Sequence, residues 1–237
     1  MAQYKIKPLV VGMNRTDQGV MTYMNEYGKK IPLPIYVFAI LGGDKKILID
    51  SGLEQVMETG MNEETGLPIY SFEDALESIG WKPEDVDIII HTHLHNDHCE
   101  NDYKCENATI YVQKEEMKFL QDPHPLDHRI FPDILDDVKE IVELDGDQKI
   151  MDGIEVLLTP GHTPGGQSIV VDTKEGRALI TGFCSNEKNF PKGRPAIVPG
   201  VHLDVRDAYD SVQKVIDFKA DILIPLHSVE AGLKEVG

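Results

Sequence analysis

The chain is dominated by short apolar runs rich in Ile, Val and Leu, which alternate with segments rich in Gly, Pro and Asp. Apolar runs of about 4–8 residues that end at turn residues predict buried strands. The predicted strands cover residues 6–11, 35–41, 46–49, 86–90, 108–112, 149–150, 154–158, 168–171, 178–180 and 222–224. Turn residues at 42–45, 152–153 and 174–176 join three pairs of these strands and predict hairpins.

Three segments carry the signals of helices. Ser71 and Asp74 belong to a capping pattern that predicts a helix up to about residue 78, with Gly80 as its stop. Residues 114–121 predict a second helix, and residues 204–218 predict a third. In the third, the apolar residues recur at helical spacing, so one face of this helix should pack against a sheet.

Three other stretches lack a regular pattern. Residues 14–34 and 122–132 predict irregular loops, and 134–142 predicts a partly helical segment. Methionine and tyrosine side chains in the first loop leave three roles open: core contact, a rim around a substrate, or the surface of a homodimer. These side chains are Met21, Tyr23, Met24 and Tyr27. The order of the elements, two series of strand pairs each followed by a helix, predicts two packed sheets with helices outside.

Length and composition limit the class of protein. The 237 residues predict a single domain over residues 1–237 with a sizeable core. The 23 basic and 41 acidic side chains give a net charge of −18, which disfavours nucleic acid and membranes as partners. No apolar run approaches the ~18 residues of a membrane span, and the N-terminal segment lacks the apolar stretch of a signal peptide. Three cysteines make no even disulfide framework, so the expected location is the cytoplasm.

The highest density of potential metal-ligand side chains lies directly after the predicted strand 86–90. Four histidines and one aspartate occur within eight residues: His91, His93, His95, Asp97 and His98. Imidazole nitrogens and carboxylate oxygens are the ligands that Zn²⁺ and similar divalent ions prefer. In an extended segment His93, His95 and Asp97 point to the same side, so one loop at a strand end supplies donors for a metal site. The pattern indicates two neighbouring metal positions.

The segment from Thr92 to His98 resembles the H-x-H-x-D-H signature of the metallo-β-lactamase superfamily. This resemblance extends over about residues 34–227 and implies a four-layer αββα sandwich of the α+β class, with two mixed β-sheets. It implies a first metal position held by His93, His95 and His162, the last in a loop fixed by prolines and glycines. It also implies a second position with Asp97, His98 and His227.

One position departs from the family pattern. The superfamily normally supplies a bridging aspartate in a Thr-Gly-Asp segment, but here Phe183 follows Thr181 and Gly182. Cys184 is the next residue, and a thiolate is a strong Zn²⁺ ligand. We therefore expect Cys184 to be a ligand of the second ion. The alternative is that Cys184 is a small buried apolar side chain, with a weak or absent second metal.

The expected activity is metal-assisted hydrolysis. A metal held by three imidazoles lowers the pKa of its bound water, and the resulting hydroxide attacks the carbonyl of an ester, lactone, thioester or amide. Asp97 is the expected catalytic residue, because it can carry a proton to the leaving group. One or two Zn²⁺ ions are the expected cofactor, and iron or manganese would also fit. The substrate should be a small molecule.

Within the superfamily, residues 34–38 and 161–167 look most like those of N-acyl-homoserine lactonases, so a lactonase-like hydrolase is favoured. Such enzymes often carry a tyrosine shortly after the bridging aspartate. No such tyrosine is evident here, and Asn186 and Asn189 occupy that region. Two alternatives stay open: a mono-iron sulfur dioxygenase-type oxidoreductase on the same fold, and a non-catalytic scaffold with a degenerate second site. A diiron flavoprotein fits less well, because its glutamate position is occupied by His95.

Overall fold

The computed structural model describes residues 3–237, which form two β-sheets flanked by helices. The strands of the first sheet are β1 Lys5–Asp17, β2 Lys30–Leu41, β3 Ile47–Ile49, β4 Gly60–Met61, β5 Pro68–Ile69, β6 Ile88–Ile90, β7 Thr109–Gln113 and β8 Glu140–Leu144. Those of the second are β9 Gln148–Met151, β10 Ile154–Leu158, β11 Gln167–Thr173, β12 Gly176–Ile180 and β13 Ile222–Ile224. The α-helices are α1 Gln18–Met21, α2 Phe72–Glu77, α3 Asn96–Cys99, α4 Lys114–Gln121 and α5 Val205–Phe218. No helix among the described residues is long and apolar enough to cross a membrane.

Both sheets mix parallel and antiparallel pairs. The strand order is β4-β5-β1-β2-β3-β6-β7-β8 in the first sheet and β13-β12-β11-β10-β9 in the second. In the first sheet β3, β6, β7 and β8 run parallel, whereas β1, β2 and β3 are joined as antiparallel neighbours. In the second sheet only the pair β12–β13 is parallel.

Alternate residues of the central strands pack into different layers. In β2, Phe38 and Ile40 belong to the core between the sheets, whereas Val37 and Ala39 pack in the outer core that includes residues of α2 and α4. In the second sheet, Val170 packs in a third core with residues of α5. Because both faces of these strands are buried, their sequences are continuously apolar. The layers are therefore helix, sheet, sheet and helix, which confirms the predicted αββα sandwich.

Most predicted elements are present, with boundaries that differ by a few residues. The helix at α2 begins after Ser71, whose side chain accepts a hydrogen bond from the Asp74 amide, as the capping pattern predicted. The hairpins 152–153 and 174–176 and the helices at α4 and α5 are also confirmed. In α5 the side chain of Asp204 caps the first turn, with hydrogen bonds from the Arg206 and Asp207 amides.

Two predictions about local structure were wrong. Residues 14–17 and 30–34, expected in a loop, extend β1 and β2 into one long antiparallel hairpin. Residues 140–142, expected to be partly helical, belong to β8 and pair with β7 in parallel. In both cases pairing with a neighbouring strand outweighs a weak local pattern.

Strand ends determine where the polar cluster lies. The loops that follow β3, β6, β10, β12 and β13 carry Asp50, the segment 91–98, His162, Cys184 and His227. These five strands run in the same direction within their sheets, so their carboxyl ends meet along one edge of the sandwich. Ligand sites of α/β proteins commonly form at such an edge.

Candidate metal centre

Two groups of metal-ligand side chains lie at this edge. His93, His95 and His162 form the first group, and Asp97, His98 and His227 form the second. Within each group the nitrogen or oxygen donor atoms all lie within 4.8 Å of one another. The five histidines are buried, whereas the Asp97 side chain is 23% exposed, so the second group borders solvent.

The three rings of the first group are arranged almost symmetrically. The ring centroids of His93, His95 and His162 are each 4.7 Å from the other two, and the ring planes cross at 76–89°. The ring centroids of His93 and His98 are 4.2 Å apart, so the two groups are in contact. The Nε2 atom of His93 is buried without a hydrogen-bond partner. A divalent cation among these rings would satisfy that nitrogen, so the residues fit a metal.

The outer nitrogen of each histidine is held by another group. Hydrogen bonds to a carboxylate or a carbonyl orient metal-binding imidazoles and fix the nitrogen that faces the ion. The contacts are His93 Nδ1 to Thr92 Oγ1 at 3.0 Å, His95 Nε2 to Asp127 at 2.7 Å, His162 Nδ1 to the Val201 carbonyl at 2.8 Å, His98 Nδ1 to Asp50 at 2.8 Å and His227 Nδ1 to the Pro34 carbonyl at 2.9 Å. In each ring the other nitrogen remains for the centre.

Asp50 was missed in the sequence, where it directly follows the predicted strand 46–49. Its carboxylate is fully buried and accepts hydrogen bonds from the Thr92 amide, the Thr92 hydroxyl and His98 Nδ1. Its φ of 61° lies in the left-handed region, which costs a non-glycine residue about 1–2 kcal/mol. Backbone strain of this kind concentrates at functional sites. Asp50 thus ties the first histidine loop to the second group.

Glu116 of α4 was also missed. Its buried side chain accepts hydrogen bonds from the Leu94 amide and the Gly165 amide, both at 2.9 Å. The first amide lies between His93 and His95, and the second belongs to the loop of His162. One carboxylate therefore fixes both loops of the first group. Burial raises the pKa of Glu116, although these hydrogen bonds act to lower it.

Asp127 and Arg129 are a third feature without a local sequence signal, because they lie in the proline-rich loop. Asp127 Oδ2 contacts His95 Nε2, and the Arg129 guanidinium binds the same carboxylate at 2.9 and 3.0 Å. The Arg129 carbonyl accepts a hydrogen bond from the Asn96 amide at 2.9 Å. Burial raises the pKa of Asp127, but His95 and Arg129 outweigh it and hold that pKa below its usual range.

The pKa of His98 is shifted upward, whereas those of the other four histidines in the two groups are shifted downward. Burial and the neighbouring histidines hold the pKa of His93 and of His162 well below the ordinary value, so both rings are neutral ligands at pH 7. Burial, with His98 beside it, lowers the pKa of His227 to about 4. Burial also acts to lower the pKa of His98, but Asp97 and Asp50 raise it above the ordinary value. A cation between His98 and Asp97, whose nitrogen and oxygen are 3.6 Å apart, would replace that proton.

Phe183 and Cys184 occupy the segment where a bridging aspartate was expected, and their side chains have different surroundings. The Phe183 side chain packs away from the centre, in the outer core with residues of α5. Cys184 lies outside the two donor groups, with its sulfur 3.3 Å from the Met21 sulfur. Burial, and next the nearby Asp97, raise the pKa of this thiol to about 12. Its role as a ligand stays a prediction.

His91 belongs to neither donor group, although a spacing of two residues would place it on the same side as His93 in an extended segment. Its Nε2 contacts Asp102 at 2.8 Å, and its Nδ1 lies 3.4 Å from Asp50. Burial acts to lower the pKa of His91, but these two carboxylates raise it to about 10. His91 is therefore a buried, protonated imidazole next to Asp50 at neutral pH.

A cavity of about 650 Å³ adjoins the first group. Asp127 and Arg129 are in its wall, as is Val201, whose carbonyl holds His162. Most of the remaining wall is apolar, and His124 and His202 add polar atoms. A few polar groups in a mostly apolar wall are typical of a small-molecule site. The lining residues are Phe119, Asp122, Pro123, His124, Pro125, Leu126, Asp127, Arg129, Pro164, Val201, His202 and Leu203.

Comparison with known proteins agrees with this geometry. Residues 31–227 match the protein family described as the metallo-β-lactamase superfamily. An N-acyl homoserine lactonase from a Bacillus species is 32% identical over 202 residues, which cover 79% of this chain and 77% of that protein. A probable metallo-hydrolase of Methanocaldococcus jannaschii is 30% identical over 192 residues, covering 78% of this chain and 84% of its own length.

Solved structures share the fold. A mutant of AiiA from Bacillus thuringiensis, with N-decanoyl-L-homoserine bound at the active site, superposes with a TM-score of 0.79 at 24% identity. The match covers 97% of this chain and 95% of that one. AidC, a dizinc quorum-quenching lactonase in complex with a product, gives a TM-score of 0.71 at 17% identity and covers 96% of this chain and 89% of its own.

Proposed function

Since this chain belongs to the metallo-β-lactamase superfamily, we propose that it is a metal-dependent hydrolase of the lactonase type. N-acyl homoserine lactones are the first candidate substrates, because relatives at 30–32% identity carry that name. The observation that carries the proposal is the symmetric group of three buried imidazoles beside a second group with one partly exposed carboxylate. Residues 1–237 act as one catalytic domain in this proposal.

The two groups are the metal ligands. His93, His95 and His162 hold the first ion, and Asp97, His98 and His227 hold the second. Zinc suits both sets, because imidazole and carboxylate are its common ligands and four-coordinate sites tolerate one open position. Cys184 is the further candidate ligand of the second ion, supported by its buried position close to Asp97. Ions bound there would supply an activated water and polarise the substrate carbonyl.

Asp97 is the residue that moves the proton. Burial acts to raise its pKa, but His98 and His227 hold the pKa below its usual range, so the side chain is a carboxylate at neutral pH. It can accept the proton that water loses when the water oxygen adds to the carbonyl carbon. It can return that proton to the ring oxygen when the carbon–oxygen bond breaks, which gives a hydroxy acid.

The surroundings are consistent with a small-molecule substrate. The cavity beside the first group is large enough for a ligand of drug size, whereas the net charge of −18 opposes a polyanion such as nucleic acid. The three cysteines are unpaired, which is typical of the reducing cytoplasm, and we propose that location.

The test is lactone hydrolysis by the zinc-loaded protein. Ring opening of N-acyl homoserine lactones releases one acid equivalent, which a pH indicator measures. We expect turnover that chelation abolishes and zinc restores. Metal analysis of protein purified without added metal belongs to the same experiment. Stoichiometric iron with oxygen consumption, and no hydrolysis across lactones and esters, would replace the lactonase by the oxidoreductase alternative.

A further inference from the structure

Arg129 is a fixed cation in the wall of the cavity, and the proposed reaction does not use it. Its backbone carbonyl is bonded to the Asn96 amide, and its guanidinium is bonded to Asp127, which in turn holds His95. Both ends of the residue are thus anchored to the histidine loop. A donor held in this way loses little conformational entropy when a ligand binds.

The guanidinium retains unused donors. Of its five N–H groups, Asp127 takes those at Nε and Nη2, and no hydrogen bond from Nη1 is present among the described residues. The side chain is 39% exposed and lies in the cavity wall. A planar guanidinium with free N–H groups matches the geometry of a carboxylate.

The second donor of the cavity is His124. Its Nδ1 accepts a hydrogen bond from the Leu126 amide at 3.2 Å, so the neutral ring carries its proton on Nε2. His202 differs, because its Nδ1 contacts the Pro199 carbonyl and therefore carries the proton itself. Its Nε2 is then an acceptor. Among the described side chains of this wall, Arg129 and the exposed His124 thus retain N–H groups without a protein partner.

Arg129 and Asp127 form an ion pair, so any excess positive charge near Arg129 would come from the centre. A divalent ion held by the neutral imidazoles of the first group would keep its full charge there, although the protein as a whole is acidic. Both oxygens of Asp127 are already occupied by His95 and Arg129. Asp122, the other carboxylate in the wall, is exposed, so solvent and salt screen its charge.

We propose that Arg129, assisted by His124, binds a carboxylate on the substrate that is remote from the bond being cleaved. The favoured substrates are then lactones whose acyl chain ends in an acid group, with the chain against the apolar walls. This inference rests on the proposed function, because it identifies the substrate class of the same centre. Arg129 is a specificity-determining residue in this proposal.

The test compares two homoserine lactones that differ only at the end of the acyl chain, one a free carboxylate and the other its methyl ester. For the wild type we expect kcat/KM to be about 10–100-fold higher for the acid, as charge-assisted hydrogen bonds imply. Arg129→Gln should bring the ratio of kcat/KM for acid and ester close to one, mainly through a higher KM for the acid. Arg129→Lys should give an intermediate preference, because it keeps the charge but loses the planar fork.

Two controls separate binding from damage to the centre. Arg194 is exposed and has no hydrogen-bond partner among the described residues, so Arg194→Gln should keep the wild-type preference. Metal content of Arg129→Gln must equal that of the wild type, because Asp127 loses a partner in this variant. Calorimetry with the ring-opened acid then measures binding without turnover, and Arg129→Gln should weaken it by the same factor.

The outcomes distinguish the two proposals. Equal kcat/KM for acid and ester in the wild type, with no change in Arg129→Gln, would overturn the role of Arg129 and leave the lactonase function intact. Failure to hydrolyse either lactone would reject the lactonase function. In that case calorimetry decides, since absence of Arg129-dependent binding of the acid would overturn this inference also.

Discussion

The two groups of metal ligands differ in how they are built. The first contains three neutral imidazoles from two loops, and Glu116 bonds to the backbone of both. The second combines a carboxylate with two imidazoles, and its outer contacts come from Asp50 after β3 and from Pro34 in β2. The outer contacts of the first group thus reach at most 39 positions along the chain, whereas those of the second reach 48 and 193 positions. We expect the first position to bind metal more tightly and the second to respond more strongly to changes elsewhere.

The largest expected effect is loss of the first group itself. His93→Ala removes a nitrogen of the first group that is buried without a protein partner, so most bound metal should be lost. Hydrolysis should fall by on the order of a thousandfold or more, as when a principal catalytic group is removed. Elemental analysis and kcat/KM measure the two effects. His128→Ala is the matched control, because His128 is an exposed histidine of the nearby loop. Full metal content and full rate in His93→Ala would exclude the assignment.

The next effect tests whether Cys184 completes the second group. Cys184→Ser should lower the occupancy of one metal equivalent and leave the other bound, because the three imidazoles are untouched. A metal-bound thiol is deprotonated and shielded, so Cys184 should resist alkylation in the metal-loaded protein and react after chelation. Cys184→Asp should restore part of the lost occupancy.

The control for alkylation is Cys105, a buried thiol that packs against the outer face of the first sheet. Its reactivity should not follow metal content. If Cys184 alkylates equally with and without metal, and Cys184→Ser retains both ions, the residue only fills space beside Met21.

A smaller effect is expected from two variants that should each weaken metal binding at a different one of the two positions. Asp127→Asn disturbs the partner of His95, and Asp50→Asn disturbs the partner of His98. Loss of such an outer contact typically weakens metal affinity by about 10–100-fold. Chelator competition should therefore show weaker binding of the first ion in Asp127→Asn and of the second in Asp50→Asn. Equal weakening of both ions in both variants would mean that the groups form one inseparable unit.

The smallest effect concerns the stability of the metal-free protein against pH. The folded pKa of His227 is about 4, below the ordinary 6.5, so the folded state binds fewer protons than the unfolded state between these values. Stability should therefore fall on acidification from pH 6.5 to 4, by up to about 1.4 kcal/mol per pH unit for each such histidine. His93, His95 and His162 act in the same direction.

The alkaline side has the opposite sign. The pKa of His91 is raised to about 10 and that of His98 is also raised, so their stabilising contribution is complete below pH 6.5 and is lost as pH rises through the folded values. Denaturant unfolding of chelated protein should therefore show maximal stability near pH 6.5. A maximum shifted to pH 9 or above would contradict the raised pKa values assigned to His91 and His98.

The sequence indicated the candidate ligands of this centre more clearly than the residues that orient them. His93, His95, Asp97 and His98 form a local pattern, and His162 lies in a proline–glycine turn with a recognisable composition. Asp50, Glu116 and Asp127 carry no such pattern, because each acts through a contact with a residue 22–48 positions away. Only the tertiary structure distinguishes these carboxylates from the many acidic side chains on the surface.

The fold shows the same limit. Buried strands with apolar faces on both sides were evident, because their side chains form continuous hydrophobic runs. The extension of β1 to Asp17 was not, because its polar end is stabilised by pairing with β2 rather than by burial. Likewise β8 is an edge strand whose exposed Glu140 and Glu143 are three positions apart, and its parallel neighbour β7 determines its conformation.

The spacing of the ligands along the chain has a consequence for synthesis on the ribosome. The donors of the first group are all present once residue 162 has been made, whereas the second group waits for His227, which is 65 residues later (227 − 162). At about 5–20 residues per second this interval lasts roughly 3–13 s. A nascent chain therefore has all the donors of one metal position before the other exists. Availability of zinc during translation would then influence the order in which the centre matures.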